Sequence, residues 1–580
     1  MTNKSSNLAT HLAALYGDSV GRATWARLSP ILDTYRAQFA APPAPHLSTA
    51  KLTERDVVLI TYGDQVQAAG RAPLGVLADF SAQQLTGLIN TIHLLPFYPY
   101  SSDDGFSVMD YRQVDPALGR WDDMARLGQH FRLMFDAVVN HVSVQSEWFQ
   151  RFLRDDPRYR DYFIVVPQDA DLAQVVRPRT SPVLTLFQTP SGAKQVWTTF
   201  SADQVDLNYR NPDVLIEVID TLLFYVAQGA QWLRLDAIAF LWKELGTSCL
   251  HLPQTHRVIQ ALRTALDDVA PQVRLITETN VPHADNVAYF GDGTNEAQLV
   301  YNFALPPLVW HTLQTSDART LSRWASELVL PSPQATFFNF LASHDGIGLN
   351  PVRGLLSAPA IEALVANTLA HGGFVSYKHN PDGTVSPYEL NINYFDALSA
   401  PNSGESLETQ VDRFSVAQAI MLAIVGVPGI YFHSLFGSSS WRAGVALTGQ
   451  NRAINRAKCD RLELEHALAD PTSQRCHVFT RYTQLLRART THPAFDPQGA
   501  MRVFDAGPAL FAIGRSTPQG QILCLHNVAN ANQIVELDLA QTLGSNRAED
   551  LLTGQVYDCS RTLTLSPYQV LWLVRATGAV

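Results

Sequence analysis

Short apolar runs recur along the chain with longer helical stretches between them. Val57–Tyr62, Thr91–Leu95, Arg132–Asp136, Trp232–Asp236, Arg274–Glu278 and Thr336–Leu341 are rich in β-branched, leucine and aromatic residues. They lack the strict apolar–polar alternation of a half-solvated strand, which predicts strands of a parallel sheet covered on both faces. Strands alternating with helices over residues 55–497 leave two architectures, a (β/α)₈ barrel or a doubly wound sheet. The polar positions favour the first. Run after run carries charged or amide residues at its C-terminal end: Asp136, Asn140 and His141, then Arg234 and Asp236, then Glu278, then His344 and Asp345. In a barrel these ends converge on one mouth.

The flanks read differently. In residues 1–54, Trp25, Leu28, Ile31, Leu32, Tyr35 and Phe39 recur at helical spacing, and Ala41-Pro42-Pro43-Ala44-Pro45 then stops the helix. This predicts a helical extension packed on the main domain rather than a partner-binding arm. Two spans, about 143–208 and 346–407, are rich in Pro, Gly, Asp and Ser and are read as inserted loop domains. Residues 498–580 carry short strands, among them Leu510–Ile513, Gln521–Leu525, Ile534–Leu537 and Val570–Val574, expected to form a β-sandwich-like domain.

Composition narrows the function. With 580 residues, 46% hydrophobic and 17% charged, the chain can bury a large core. A formal net charge of −10 argues against nucleic acid as a partner. The five cysteines are odd in number and have no C-x-x-C spacing, so neither a disulfide framework nor a zinc site is expected. Met1–Thr10 has no signal-like apolar run, and the longest apolar stretch, Ala417–Phe432, is interrupted and too short to span a bilayer. A cytoplasmic protein without a membrane partner is expected. No metal and no cofactor is called for, because acids suffice for the chemistry below.

That chemistry rests on carboxylates. Three acids, Asp236, Glu278 and Asp345, meeting in one mouth would raise the pKa of at least one of them, while Arg234 would hold its neighbour ionised. One ionised and one protonated carboxyl make the pair needed for retaining glycoside chemistry, a nucleophile and a general acid/base.

Here the sequence resembles a known family. Asp136-Ala137-Val138-Val139-Asn140-His141, Leu233-Arg234-Leu235-Asp236-Ala237, Ile276-Thr277-Glu278 and Ala342-Ser343-His344-Asp345 are similar to the four signature regions of the α-amylase superfamily, in order, with Gln204-Val205-Asp206-Leu207-Asn208 similar to a fifth. The resemblance implies that Asp236 is the nucleophile, Glu278 the acid/base and Asp345 the transition-state stabiliser. Arg234 would orient Asp236, and His141 and His344 would bind the sugar ring. Over residues 55–580 it narrows to the sucrose phosphorylase subfamily, carried by His93–Pro99 with Asp103–Phe106, Arg177-Pro178-Arg179, Lys243–Cys249, Ala304–Leu308, Asp345–Gly348 and Asn451–Arg456. By that resemblance Asp103 and Arg456 grip the far hydroxyls of glucose and Phe106 walls the pocket. Arg179 and Tyr388 face phosphate and the acceptor. The substrates would be a disaccharide and inorganic phosphate; oligomeric state is not readable.

The leaving group is contested between fructose, from sucrose, and glycerate, from glucosylglycerate. The run Glu278-Thr279-Asn280-Val281-Pro282-His283, the N-terminal extension and Asn380–Glu389 resemble the glucosylglycerate-cleaving branch. Against this, Val385 stands where a basic residue would suit glycerate. Asn280, Tyr388 and Glu389 offer hydrogen bonds to a neutral polyol, and Glu389 would repel a carboxylate. Lys378 and His379 are the nearby cations. Sucrose is the expected donor on this balance, glucosylglycerate the alternative, and a phosphate-independent hydrolase or transglucosidase the more distant one. A non-catalytic, transporter-associated member of the fold is disfavoured, because all three acids are present.

Overall fold

The computed structural model describes residues 3–39, 51–380, 383–401 and 403–576. Eight strands close a barrel: β1 (Val58–Thr61), β2 (Thr91–Leu94), β3 (Arg132–Ala137), β4 (Ala230–Leu235), β5 (Arg274–Thr277), β6 (Leu299–Tyr301), β7 (Thr336–Asn339) and β8 (Val427–Tyr431). Each pairs in parallel with its neighbours in chain order, and β8 returns to β1. Buried on both faces, these strands can be apolar throughout, which is why they read as continuous runs. Trp232, Leu233, Leu235, Leu275 and Phe338 are fully buried. Helices such as Pro212–Ala227, Pro253–Val269 and Leu407–Ala423 cross over between strands, several opened by Pro in the first turn.

Two of the eight strands escape the sequence reading. β6 is three residues long, and β8 holds Pro428 and Gly429 inside the apolar stretch that begins in the preceding helix. Both spans read as long loops carry structure of their own. Val165–Val166, Gly192–Trp197 and Leu184–Thr189 form one small antiparallel sheet, and Ile347–Gly348, Val385–Asn391 and Phe374–His379 another.

At the N-terminus, Asn3–Tyr16 and Asp18–Gln38 form two helices, the first of them not foreseen. They cross closely, since a Cβ on Gly21 would lie 2.7 Å from the Ala13 backbone. The helices clamp onto the barrel through a Tyr16 hydroxyl donating to the Tyr209 carbonyl at 3.0 Å and an Arg36–Asp268 ion pair at 2.8 Å. The Ala41–Pro45 break lies outside the described residues, as do Pro381 and Asp382.

The C-terminal domain is a six-stranded antiparallel sheet with a two-stranded ribbon beside it. Its strand Leu510–Thr517 sends Phe511 and Ile513 into the main core, and Leu510 and Ala512 into a core of its own. No helix among the described residues is long and apolar enough to cross a membrane.

Candidate active site

The acids stand where barrel register puts them. The N–H of Asp236 continues the ladder onto the Ala137 carbonyl at 3.1 Å, and that of Glu278 onto the Leu235 carbonyl at 3.1 Å. The two residues therefore cap adjacent strands, β4 and β5, at the same level. Arg234, two residues before Asp236 and so on the same strand face, is 2% exposed. Its Nη1 donates to Asp136 Oδ1 (2.7 Å), Asp136 Oδ2 (2.8 Å) and Asp236 Oδ1 (2.8 Å), and its Nη2 lies 3.8 Å from Glu278 Oε2. His93 Nε2 meets Asp136 Oδ2 at 3.1 Å. Ala237, next in the chain, sits at φ 48°, left-handed for a residue with a Cβ, at a cost of roughly 1–2 kcal/mol. That strain aims its N–H at Glu278 Oε2, 3.0 Å away.

Burial pushes both Asp236 and Glu278 upward; Arg234 opposes this on each, and neighbouring carboxylates reinforce it. Two buried acids beside one guanidinium hold a proton between them. The Arg234 guanidinium favours the negative charge on Asp236, which it contacts 1.0 Å more closely than it does Glu278 (2.8 against 3.8 Å). Asp345 differs: burial raises it, but Arg452, Arg456, Arg234 and Arg179 together carry it below the ordinary carboxylate range. Arg452 Nη1 is 2.6 Å from Asp345 Oδ1. His141 and His344 are held neutral chiefly by burial, which suits hydrogen bonding to uncharged hydroxyls.

These groups line a cavity of about 330 Å³, within the range of small-molecule sites. Asp103, Phe106, His141, Asp236, Glu278, His344 and Asp345 line it, as do Arg179, Asn280 and Tyr388. Phe106 stacks on His344, with centroids 4.7 Å apart and planes at 4°. Arg179 lies over the rings of Phe200 (5.9 Å) and Tyr388 (5.6 Å). Gln204 donates to Asp103 Oδ2 at 3.4 Å and to the Phe106 carbonyl at 3.2 Å. Asn280 packs on Gly348, where a Cβ would lie 2.5 Å from its Oδ1.

Three residues expected at the site stand behind its wall. Arg234 supports the acids from below. Arg456 donates to the His344 carbonyl at 3.0 Å and pairs with Asp104 (2.6 Å) and Asp103 (3.5 Å), so it positions the Asp103 loop instead of lining the cavity. Glu389 requires the larger correction. It is 1% exposed and faces away from an acceptor: Arg452 grips it through Nε (3.0 Å) and Nη2 (2.9 Å), the Gly346 N–H donates to it, and Arg179 Nη1 lies 3.7 Å away. A carboxylate so compensated does not repel an anionic ligand. Lys378 lines the cavity, whereas His379 and Val385 do not.

Sequence reasoning missed Arg452 as a ligand of two carboxylates and Arg353 as a lining cation. The first lay in a quoted motif, Asn451–Arg456; the second had no signal beyond being basic in a Pro- and Gly-rich insertion. Among the described residues no group of three or more His, Cys, Asp and Glu side chains is arranged to hold a metal ion.

The loop carrying Asp103 is under strain, with Asp103 at φ 53°, Asp104 at 48° and Gly105 at 107°. A Cβ on Gly105 would sit 2.6 Å from the Pro96 carbonyl oxygen. Gly105→Ala is expected to destabilise the protein by about 2 kcal/mol or more and to raise the donor KM by displacing Asp103. Urea unfolding and steady-state kinetics check both effects.

Comparison with known proteins agrees with this geometry. The alpha amylase catalytic domain matches residues 84–346, and the amylosucrase C-terminal domain matches residues 503–574. A glucosylglycerate phosphorylase from Allomeiothermus silvanus is 49% identical over 98% of both chains. A sucrose phosphorylase from Agrobacterium vitis is 30% identical over 81% of this chain and 95% of its own. The crystal structure of sucrose 6F-phosphate phosphorylase from Thermoanaerobacter thermosaccharolyticum superposes with a TM-score of 0.71 at 24% identity, over 82% of this chain and 94% of that one. The chain belongs to the α-amylase superfamily and, within it, to the sucrose phosphorylase subfamily.

Proposed function

We propose that this chain is a retaining glucoside phosphorylase that converts 2-O-α-glucosylglycerate and phosphate into α-glucose 1-phosphate and glycerate. Asp236 attacks the anomeric carbon while Glu278 protonates the departing glycerate oxygen. A β-glucosyl ester on Asp236 results. Phosphate then attacks from the vacated side, with Glu278 taking its proton, and the second inversion restores the α configuration. Asp345, kept anionic by Arg452, binds sugar hydroxyls and offsets the positive charge that develops on the ring.

One observation carries the choice of leaving group. The cavity lining holds Arg177, Arg179, Arg353, Lys378 and Arg452, while Glu389, the acid that would oppose an anion, is already bound by Arg452 and approached by Arg179. Phosphate and glycerate are both anions and both can be met by these cations; fructose needs none of them. The likeness to a glucosylglycerate phosphorylase at 49% identity, against 30% for a sucrose phosphorylase, supports the same side. The sequence-based preference for sucrose, which leaned on repulsion by Glu389, gives way. At saturating phosphate, kcat/KM for glucosylglycerate is expected to exceed that for sucrose at least tenfold, about 1.4 kcal/mol in transition-state binding. Equal values, or a preference for sucrose, would reject the assignment.

A further inference from the structure

Arg177 apart, the cations that line the cavity fall into two sets. Arg179 and Arg452 direct their charge toward Glu389 and Asp345. Arg353 and Lys378 meet no carboxylate within ion-pair distance among the described residues, although Asp103, Asp236, Glu278, Asp285 and Asp345 line the same cavity. Arg353 Nη2 donates to the Pro387 carbonyl (3.1 Å) and the Ser386 hydroxyl (3.3 Å), and its Nε to Asn350 Oδ1 (3.3 Å). Lys378 is the register partner of Ser386 across the Phe374–His379 and Val385–Asn391 strand pair. Both cations therefore meet at Ser386–Pro387, one residue before Tyr388.

We propose that Arg353 and Lys378 form a subsite for the carboxylate of the leaving group, distinct from the Arg179 and Tyr388 side that serves phosphate. This rests on the phosphorylase reading above. Two like charges brought together without a counterion repel each other, and a bound anion relieves that cost. Burial, and then the charge of Arg353, already depress the Lys378 ammonium. A neutral acceptor brings no such relief. The ligand class that follows is the small 2-hydroxycarboxylate, whose carboxyl group is one carbon away from the hydroxyl that receives glucose.

The test runs the reaction toward synthesis, with α-glucose 1-phosphate as donor and D-glycerate or glycerol as acceptor, and reads the glycerate-over-glycerol ratio of kcat/KM. Wild type is expected to favour glycerate. Lys378→Met and Arg353→Gln are each expected to lower the ratio roughly tenfold to a hundredfold, the loss of one charge-assisted contact. Lys378 is the cleaner variant, because Arg353 also braces the strand that presents Tyr388. A ratio within about twofold of wild type in Lys378→Met, or a fall of equal size on both acceptors, would overturn the subsite. A wild-type enzyme with no preference for glycerate would instead overturn the donor reading itself, and the subsite with it.

Discussion

Asp236→Asn should cost roughly 10⁴-fold or more in kcat on every donor, because no other group can form the covalent glucosyl ester. Glu278→Gln should behave differently. Cleavage of glucosylglycerate, whose alkoxide needs a proton, is expected to fall about 10²- to 10⁴-fold, while α-glucosyl fluoride, which leaves without one, should lose far less. The structure also fixes the sign of the pH dependence. Burial raises Glu278 above the ordinary carboxylate range, and the acid must be protonated to act. The basic limb of kcat/KM therefore lies above that range and should vanish in Glu278→Gln. Uniform loss on both donors would remove Glu278 from proton transfer, and β-glucose 1-phosphate as product, seen by NMR, would refute the double displacement.

The second large effect belongs to Arg452. It contacts Glu389 through two nitrogens and Asp345 through a third, and Glu389 is 1% exposed. Arg452→Ala strands a buried carboxylate, and breaking such a pair costs about 3–5 kcal/mol. Urea unfolding is expected to show a loss of this order. Adding Glu389→Gln to that variant should recover part of it, since an amide tolerates burial without a counter-charge better than an ion does. A double variant no more stable than Arg452→Ala would show that the guanidinium acts by packing alone. A single variant within about 0.5 kcal/mol of wild type would deny the network any weight.

What the sequence revealed follows from how local each signal is. Six of the eight barrel strands announced themselves because burial on both faces removes the apolar–polar alternation of a half-solvated strand. β6, at three residues, is too short to stand out, and β8 merges with the helix before it. The carboxylates were legible because each sits at a strand end, a position that sequence order encodes. The acceptor side was not, because its character depends on which charges pair across distant segments. Glu389 reads as a free acid until Arg452, 63 residues on, is seen to grip it. Arg353, exposed as a loop residue would be, shows its place only when it is seen to bond to the Pro387 carbonyl, 34 residues on.

The backbone hydrogen bonds of Asp236 and Glu278 to neighbouring strands give the pocket two mechanical halves. Asp236 and Glu278 are fastened by the same ladder that closes the barrel, so their backbone can shift only if the barrel itself opens, an event near the full free energy of unfolding. Much of the anion side, Arg177, Arg179, Arg353, Lys378 and Tyr388, is carried on the two inserted segments, whose rearrangement leaves that ladder intact. Changes of leaving group can therefore accumulate in the insertions while the covalent chemistry stays in register, so that one rigid donor site can be paired with a succession of acceptors.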